Sequence, residues 1–267
     1  MPDKAESFSW LVRLGFAARG ITYALLGYLA LSTRSKAKDG SEAAYDYLQE
    51  VPFGGIILWA ITLGLIAYIA FRVLCAVSDI QNRGTSRSGI FKRIGDMASA
   101  VAHIFLAYAS YQFASGYKRQ SDPESGGQEM AASILQNEVG WMLIGAIGVG
   151  FLVGAFMQGK NAWTAHFMHR ISSSAPKIVC HVGRIGHGAR ALVFLVIGWS
   201  MVEGAWIVQE DRILGLGGAI GSLRASETLY TATAIGLIMF GVFSLFTARY
   251  RIIPDLHSGV PSFRKRA

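Results

Sequence analysis

The sequence predicts an all-α, polytopic membrane protein: six transmembrane helices in three tandem two-helix repeats, with short amphipathic helices on the outer side. Three observations carry this expectation. Only 16% of residues are charged and 52% are hydrophobic, with a mean hydropathy of +0.37, whereas an ordinary soluble domain carries about 25% charged residues. Six stretches approach the roughly 20 apolar residues that a helix needs to cross the hydrocarbon core. Thirty-one glycines against six prolines suit helices that pack closely through small residues.

The expected spans are Leu14–Ser32, Gly54–Val77, Met97–Ser115, Val139–Met157, Gly188–Val208 and Thr228–Ala248. None alternates polar with apolar residues as an outer-membrane strand would. With both termini and the even-numbered loops placed in the cytoplasm, 18 of the 25 Lys and Arg fall on that side, as the positive-inside rule requires. The acidic residues gather opposite. Lys4 and Arg13 precede the first span and Ala30-Leu31-Ser32 resembles a signal cleavage site, but the same helix recurs twice within the chain, so it is read as a retained span. The net charge of +8 is spread over membrane-flanking segments without a nucleic-acid-binding motif. It suits anionic headgroups, at ~1 kcal/mol per residue near the surface. Cys75 and Cys180 both fall on the reducing side and are expected to be free thiols.

The repeats are visible directly. Arg13-Leu14-Gly15, Arg93-Ile94-Gly95 and Arg184-Ile185-Gly186 open the odd-numbered spans. Six residues on from each arginine stand Arg19, Ser99 and Arg190, and four further stand Tyr23, His103 and Phe194. Each odd span leads into an acidic outer loop with an amphipathic stretch, at Ser41–Val51, Gln128–Glu138 and Ala219–Glu227, and then into an even span. The chain thus reads as one integral membrane domain, 1–267, with repeats at about 10–80, 90–160 and 181–252.

Over roughly residues 10–252 the sequence resembles the DUF1206 membrane proteins of bacteria. The matching residues are the repeated Arg-x-Gly, Arg19-Gly20 and Arg190-Ala191, Pro52-Phe53-Gly54, and the closing Phe240-Gly241-Val242-Phe243-Ser244-Leu245 with Ala248-Arg249-Tyr250-Arg251. The resemblance implies a six-helix, three-repeat architecture in the bacterial inner membrane and brings no established activity. The middle repeat departs from the pattern, with Ser99 in place of an arginine and Val139-Gly140-Trp141 in place of Pro-Phe-Gly.

Positions 16, 19, 23 and 27 share one helix face, and so do their counterparts in the other repeats. Turned inward, that face brings together Asp96, His187, Arg19, Arg190, Ser99, Tyr23 and His103. Ionisable groups within a membrane face an interior or a cavity and are candidates for function. This set admits three readings: a structural network in which Asp96 pairs with Arg19 or Arg190, an anion or lipid-headgroup site, or a proton or substrate pathway. Arg13, Arg93 and Arg184 are read as interfacial basic residues that fix orientation. Gly150-x-x-x-Gly154, and Gly20 with Gly27, are read as helix-packing faces.

His166 and His169 are spaced i, i+3 but lack the further ligands of a zinc site. Only His103 and His187 could be considered for haem, so no metal or cofactor is expected. G-x-S-x-G, H-E-x-x-H and Walker A motifs are absent from the sequence. The expectation is a non-enzymatic inner-membrane protein that binds or organises an anionic phospholipid or a membrane-protein partner. The alternative is a small secondary transporter or channel, although the Pro-x-Asp/Glu-x-x-Lys/Arg signature of mitochondrial carriers is missing.

Overall fold

A computed structural model describes residues 4–32, 40–117 and 133–253. The described chain is helical: α1 (Lys4–Ser32), α2 (Gly40–Glu50), α3 (Gly54–Val77), α4 (Arg87–Ala114), α5 (Gly140–Thr164), α6 (Ile178–Ile207), α7 (Leu216–Ser222) and α8 (Glu227–Tyr250), with 3-10 turns at His166–Arg170, Glu210–Arg212 and Leu223–Ala225. By length and apolarity α1, α3, α5, α6 and α8 can cross a membrane. They carry five of the six expected spans; α4, which carries the expected third, is 28 residues long but less apolar than the others. Asp96, Ser99, His103, Ser110 and Gln112 dilute it.

Most of the helices run beyond the expected spans. α1, α4 and α6 each begin about ten residues earlier, at Lys4, Arg87 and Ile178. Hydropathy marks only the part of a helix that suits hydrocarbon, while backbone hydrogen bonding continues into water. Ser86 caps α4 by accepting the Gly89 amide, and Ser226 caps α8 by accepting that of Leu229. Extended backbone at Ser226 (φ −122°, ψ 105°) separates α8 from the third outer stretch, which ends as a short α7 and one turn. The second outer stretch, Gln128–Glu138, lies partly outside the described residues.

The long helices pack as a row in the order α4, α3, α1, α8, α6, α5. Glycines let the backbones meet. A Cβ on Gly241 of α8 would fall 2.6 Å from the amide nitrogen of Ala24 in α1, and one on Gly198 of α6 would fall 2.8 Å from the Gly148 carbonyl of α5. On the expected Gly150-x-x-x-Gly154 face, Gly154 meets Phe194 of α6, whereas Gly150 meets no atom within 4 Å. At the basic end Arg170, just after α5, lies within electrostatic reach of Arg83 and Arg72. At the other end α2 packs on α1, α3, α4 and α7, burying Tyr45 and Leu48. Polar groups inside the helices are satisfied locally: Thr22, Thr62, Ser244 and Thr247 each donate to the carbonyl four residues back.

Candidate functional site

The site begins with three arginines that do the same thing in three places. Arg13 of α1 donates to the carbonyls of Ala248 and Arg249 at the end of α8. Arg93 of α4 donates to Ala76 and Val77 at the end of α3, and Arg184 of α6 to Ala162 and Trp163 at the end of α5. The last carbonyls of a helix lack intrahelical partners and carry its negative dipole end, so a guanidinium there both caps and neutralises. Arg93 and Arg184 each join their helix to the long helix before it in the chain, α4 to α3 and α6 to α5, and Arg13 carries the cycle from the last helix, α8, back to α1. The sequence reading had placed these residues only as interfacial charges.

The inward face follows about one to three turns deeper. Phe16, Arg19, Tyr23, Asp96, His103, His187 and Arg190 are all buried, while Ser99 is half-buried. Arg19 donates to the Tyr68 hydroxyl at 2.8 Å and to Ser244 Oγ at 3.2 Å, and Arg72 donates to the same Tyr68 hydroxyl at 2.8 Å. Both Arg19 and Arg190 lie against the Phe240 ring, their guanidinium carbons 5.0 and 4.4 Å from its centroid. Arg19 also covers Phe16 and Tyr68, and Arg190 covers Tyr23 and Phe194. Rings attract a cation through their quadrupole, by about 0.5–2 kcal/mol depending on desolvation, but they leave its charge uncancelled.

Asp96 does not supply the missing anion. The sequence reading paired it with Arg19 or Arg190; in the structure it pairs with Arg72 and, at 2.6 Å, with Arg83. The reason is position: Asp96 lies near the start of α4, level with the end of α3 and the turn that follows it. Arg83 is fixed there by donating to the Lys92 carbonyl and the Gln81 side chain. Nearby, Arg251 lies over Phe16 and Phe71. Burial, then the charges of Arg170 and Arg72, push it down to about 9, so it remains a cation at neutral pH. Neither arginine reaches out to water, with Arg19 5% and Arg190 8% exposed. Among the described residues, Arg19 and Arg190 have no carboxylate within ion-pair distance.

The histidines line the same interior. His103 Nδ1 contacts the Ser99 carbonyl at 2.7 Å and its ring lies 4.6 Å from that of Tyr68. His187 Nδ1 meets Gln158, and its ring stacks on Phe167 at 4.9 Å. Among the described residues, the Nε2 atoms of both, and Nε of Arg190, have no hydrogen-bond partner. His166 and His169 face each other, ring centroids 4.8 Å apart, with no group of three or more metal-ligating residues among the described residues. Cys75 is buried and Cys180 half-buried, both free.

Sequence reasoning missed Tyr68, Arg72, Phe240 and Gln158. Tyr68, Arg72 and Phe240 sit on even-numbered spans, read from sequence as plain apolar helices, and Gln158 follows the expected end of the fourth span at Met157. A signal existed: Tyr68 and Phe240 each lie four residues after a glycine, Gly64 and Gly236, in the same place in two repeats.

A family model described as Domain of Unknown Function (DUF1206) matches the chain in three segments, residues 14–79, 94–165 and 185–251. The uncharacterised protein YxxB of Bacillus subtilis (strain 168) is 32% identical over 262 residues, which covers 93% of this chain and 94% of the relative. No solved structure matches the chain.

Proposed function

This chain belongs to the DUF1206 family, and we propose that it is a non-enzymatic inner-membrane protein that holds the headgroup of an anionic phospholipid at Arg19 and Arg190. The observation that carries the reading is charge: two buried guanidiniums share one aromatic ring, and the acid of their own layer is engaged by two other arginines. A phosphate would supply the missing negative charge, because the planar guanidinium fork binds such oxygens in two-point contact. The unpartnered nitrogens of His103, His187 and Arg190 offer further polar contacts in the same interior.

Six spans and cytoplasmic termini belong to the same proposal. α4 is taken as the third span in spite of its polar face, since it is 28 residues long and packs along α3. The stapling arginines and Arg72, Arg83, Arg170 and Arg251 gather at one end, which suits the side favoured by Lys and Arg. A reporter active only outside the cytoplasm is expected to work when fused after Ser121 or Gly215 and to be silent after Gly84 or Ser174. The opposite pattern would invert the proposed sidedness.

The site itself is tested by Arg19→Ala combined with Arg190→Ala. The double variant is expected to keep the reporter pattern and to lose the phosphatidylglycerol that the wild-type protein retains in native mass spectrometry. Retention of that lipid at the wild-type level would reduce the arginine pair to structure, and capture of an acidic membrane protein in place of lipid would reassign the ligand.

A further inference from the structure

The three repeats are not closed alike. In the first, a Cβ on Gly15 would fall 2.7 Å from Tyr68 Cβ, and one on Gly64 would fall 2.6 Å from Ala18 Cβ. The third matches it, with Gly186 2.5 Å from Phe240 Cα and Gly236 2.4 Å from Ala189 Cβ. These glycines seat α1 on α3 and α6 on α8, backbone to backbone. The middle repeat carries glycine in both corresponding places. Gly95 follows Arg93 as Gly15 follows Arg13, and Gly64, Gly150 and Gly236 succeed one another at intervals of 86 residues. Yet, among the described residues, Cβ atoms on Gly95 and Gly150 would meet nothing within 4 Å. Among the described residues, α4 and α5 share no interface like those of the other two pairs. Each is held elsewhere, α4 on α3 and α5 on α6, so the opening falls within the middle repeat alone.

Two departures in sequence mark the same repeat. Ser99 stands where the others carry Arg19 and Arg190, and Gly154 stands where they carry Tyr68 and Phe240. The arginine and its aromatic seat are thus both replaced by small residues beside the opening, while the glycines that would allow closure are kept. In the interior, His103 and Arg190 are more than nine-tenths buried and each leaves a ring or guanidinium nitrogen unpartnered. Away from their basic ends, where Arg87, Lys92 and Lys160 are exposed, the exposed residues of both helices are apolar, among them Ile94 and Val101 on α4 and Val149 and Phe156 on α5, so an entrant must be compatible with hydrocarbon.

We propose that the middle repeat is a lateral gate. Its helices α4 and α5 dock through Gly95 and Gly150, as the corresponding glycines do in the other two repeats, and part to pass an anionic lipid headgroup from the bilayer to Arg19 and Arg190. The passage of lipid rests on the reading of that arginine pair as a headgroup site; the two positions of the helices do not. Closure re-forms the glycine contacts that unite the other pairs, and opening replaces them with acyl chain, so neither state exposes backbone polar groups to lipid.

The test is an electron–electron distance measurement on the full chain in phosphatidylglycerol-containing nanodiscs. Nitroxides are placed at Ile94→Cys and Phe156→Cys in a Cys180→Ala background, where the remaining Cys75 is buried. Two distances are expected, and the wedge Gly150→Leu is expected to remove the shorter one. Labels at Trp10→Cys and Val77→Cys, across the closed first repeat, are expected to give a single distance. A single distance across the middle repeat, unchanged by Gly150→Leu, overturns the gate. Two distances in a protein whose lipid retention ignores Arg19→Ala with Arg190→Ala uphold the moving helices and overturn the headgroup as their cargo. Exchange of bound phosphatidylglycerol severalfold faster in Gly150→Leu than in the wild type supports both.

Discussion

Asp96→Ala is expected to lower stability by about 3–5 kcal/mol, the scale on which removing one member of a buried ion pair acts. Three facts set the sign. Asp96 is only 3% exposed, it pairs with both Arg72 and Arg83, and Arg83 is itself largely buried. Without the carboxylate, two guanidiniums would face each other and Arg170 with no anion between them. Arg72 retains the Tyr68 hydroxyl and Arg83 retains the Lys92 carbonyl, so the helices have hydrogen bonds left but no charge balance. Chemical unfolding in detergent micelles reads the loss. The triple change Asp96→Leu, Arg72→Met, Arg83→Met is expected to recover most of it, because a buried charge network can be replaced by apolar residues of similar volume at little net cost. A loss below about 1 kcal/mol for Asp96→Ala would place the triad in water, where ion pairs contribute about that much or less.

That network also shows where sequence reading stops. Periodicity along α4 selected the face that carries Asp96 and His103, and the same arithmetic selected Arg19, Tyr23, His187 and Arg190; all are buried. Periodicity says nothing about which neighbouring helix lies opposite. Arg72 stands inside the expected span Gly54–Val77, yet its reach back from the end of α3 decides the partner of Asp96. Gly54–Val77 is expected and observed with the same bounds, because Phe53, at φ 62°, and the Leu48 carbonyl, 1.5 Å from a Cβ on Gly54, fix its start sharply. α4 is the opposite case: polar on one face, it is long enough but not apolar enough to stand out. Arg13, Arg93 and Arg184 were visible as a repeated motif, but their work as caps depends on helix ends brought beside them by packing.

Tyr68→Phe is expected to lower stability by about 3 kcal/mol while leaving anionic lipid bound. One hydroxyl accepts from both Arg19 and Arg72, and a hydrogen bond to a charged group contributes about 1.5–3 kcal/mol. The ring stays, so the packing on Phe16 and the cation contacts of Arg19 and Arg72 persist. Arg19 is then left with Ser244 Oγ and aromatic faces. A phosphate that reaches Arg19 gains a donor freed from the phenol, and binding to the folded state alone stabilises it by about 2.7 kcal/mol at a hundredfold excess over Kd. The variant should therefore unfold earlier than the wild type in neutral lipid and recover most of the difference when phosphatidylglycerol is titrated in. The Arg19→Ala, Arg190→Ala variant should show no such recovery, having lost the donors themselves. Equal recovery in both variants would mean that lipid stabilises the bundle from outside, and the arginines would then hold aromatic rings together and nothing else.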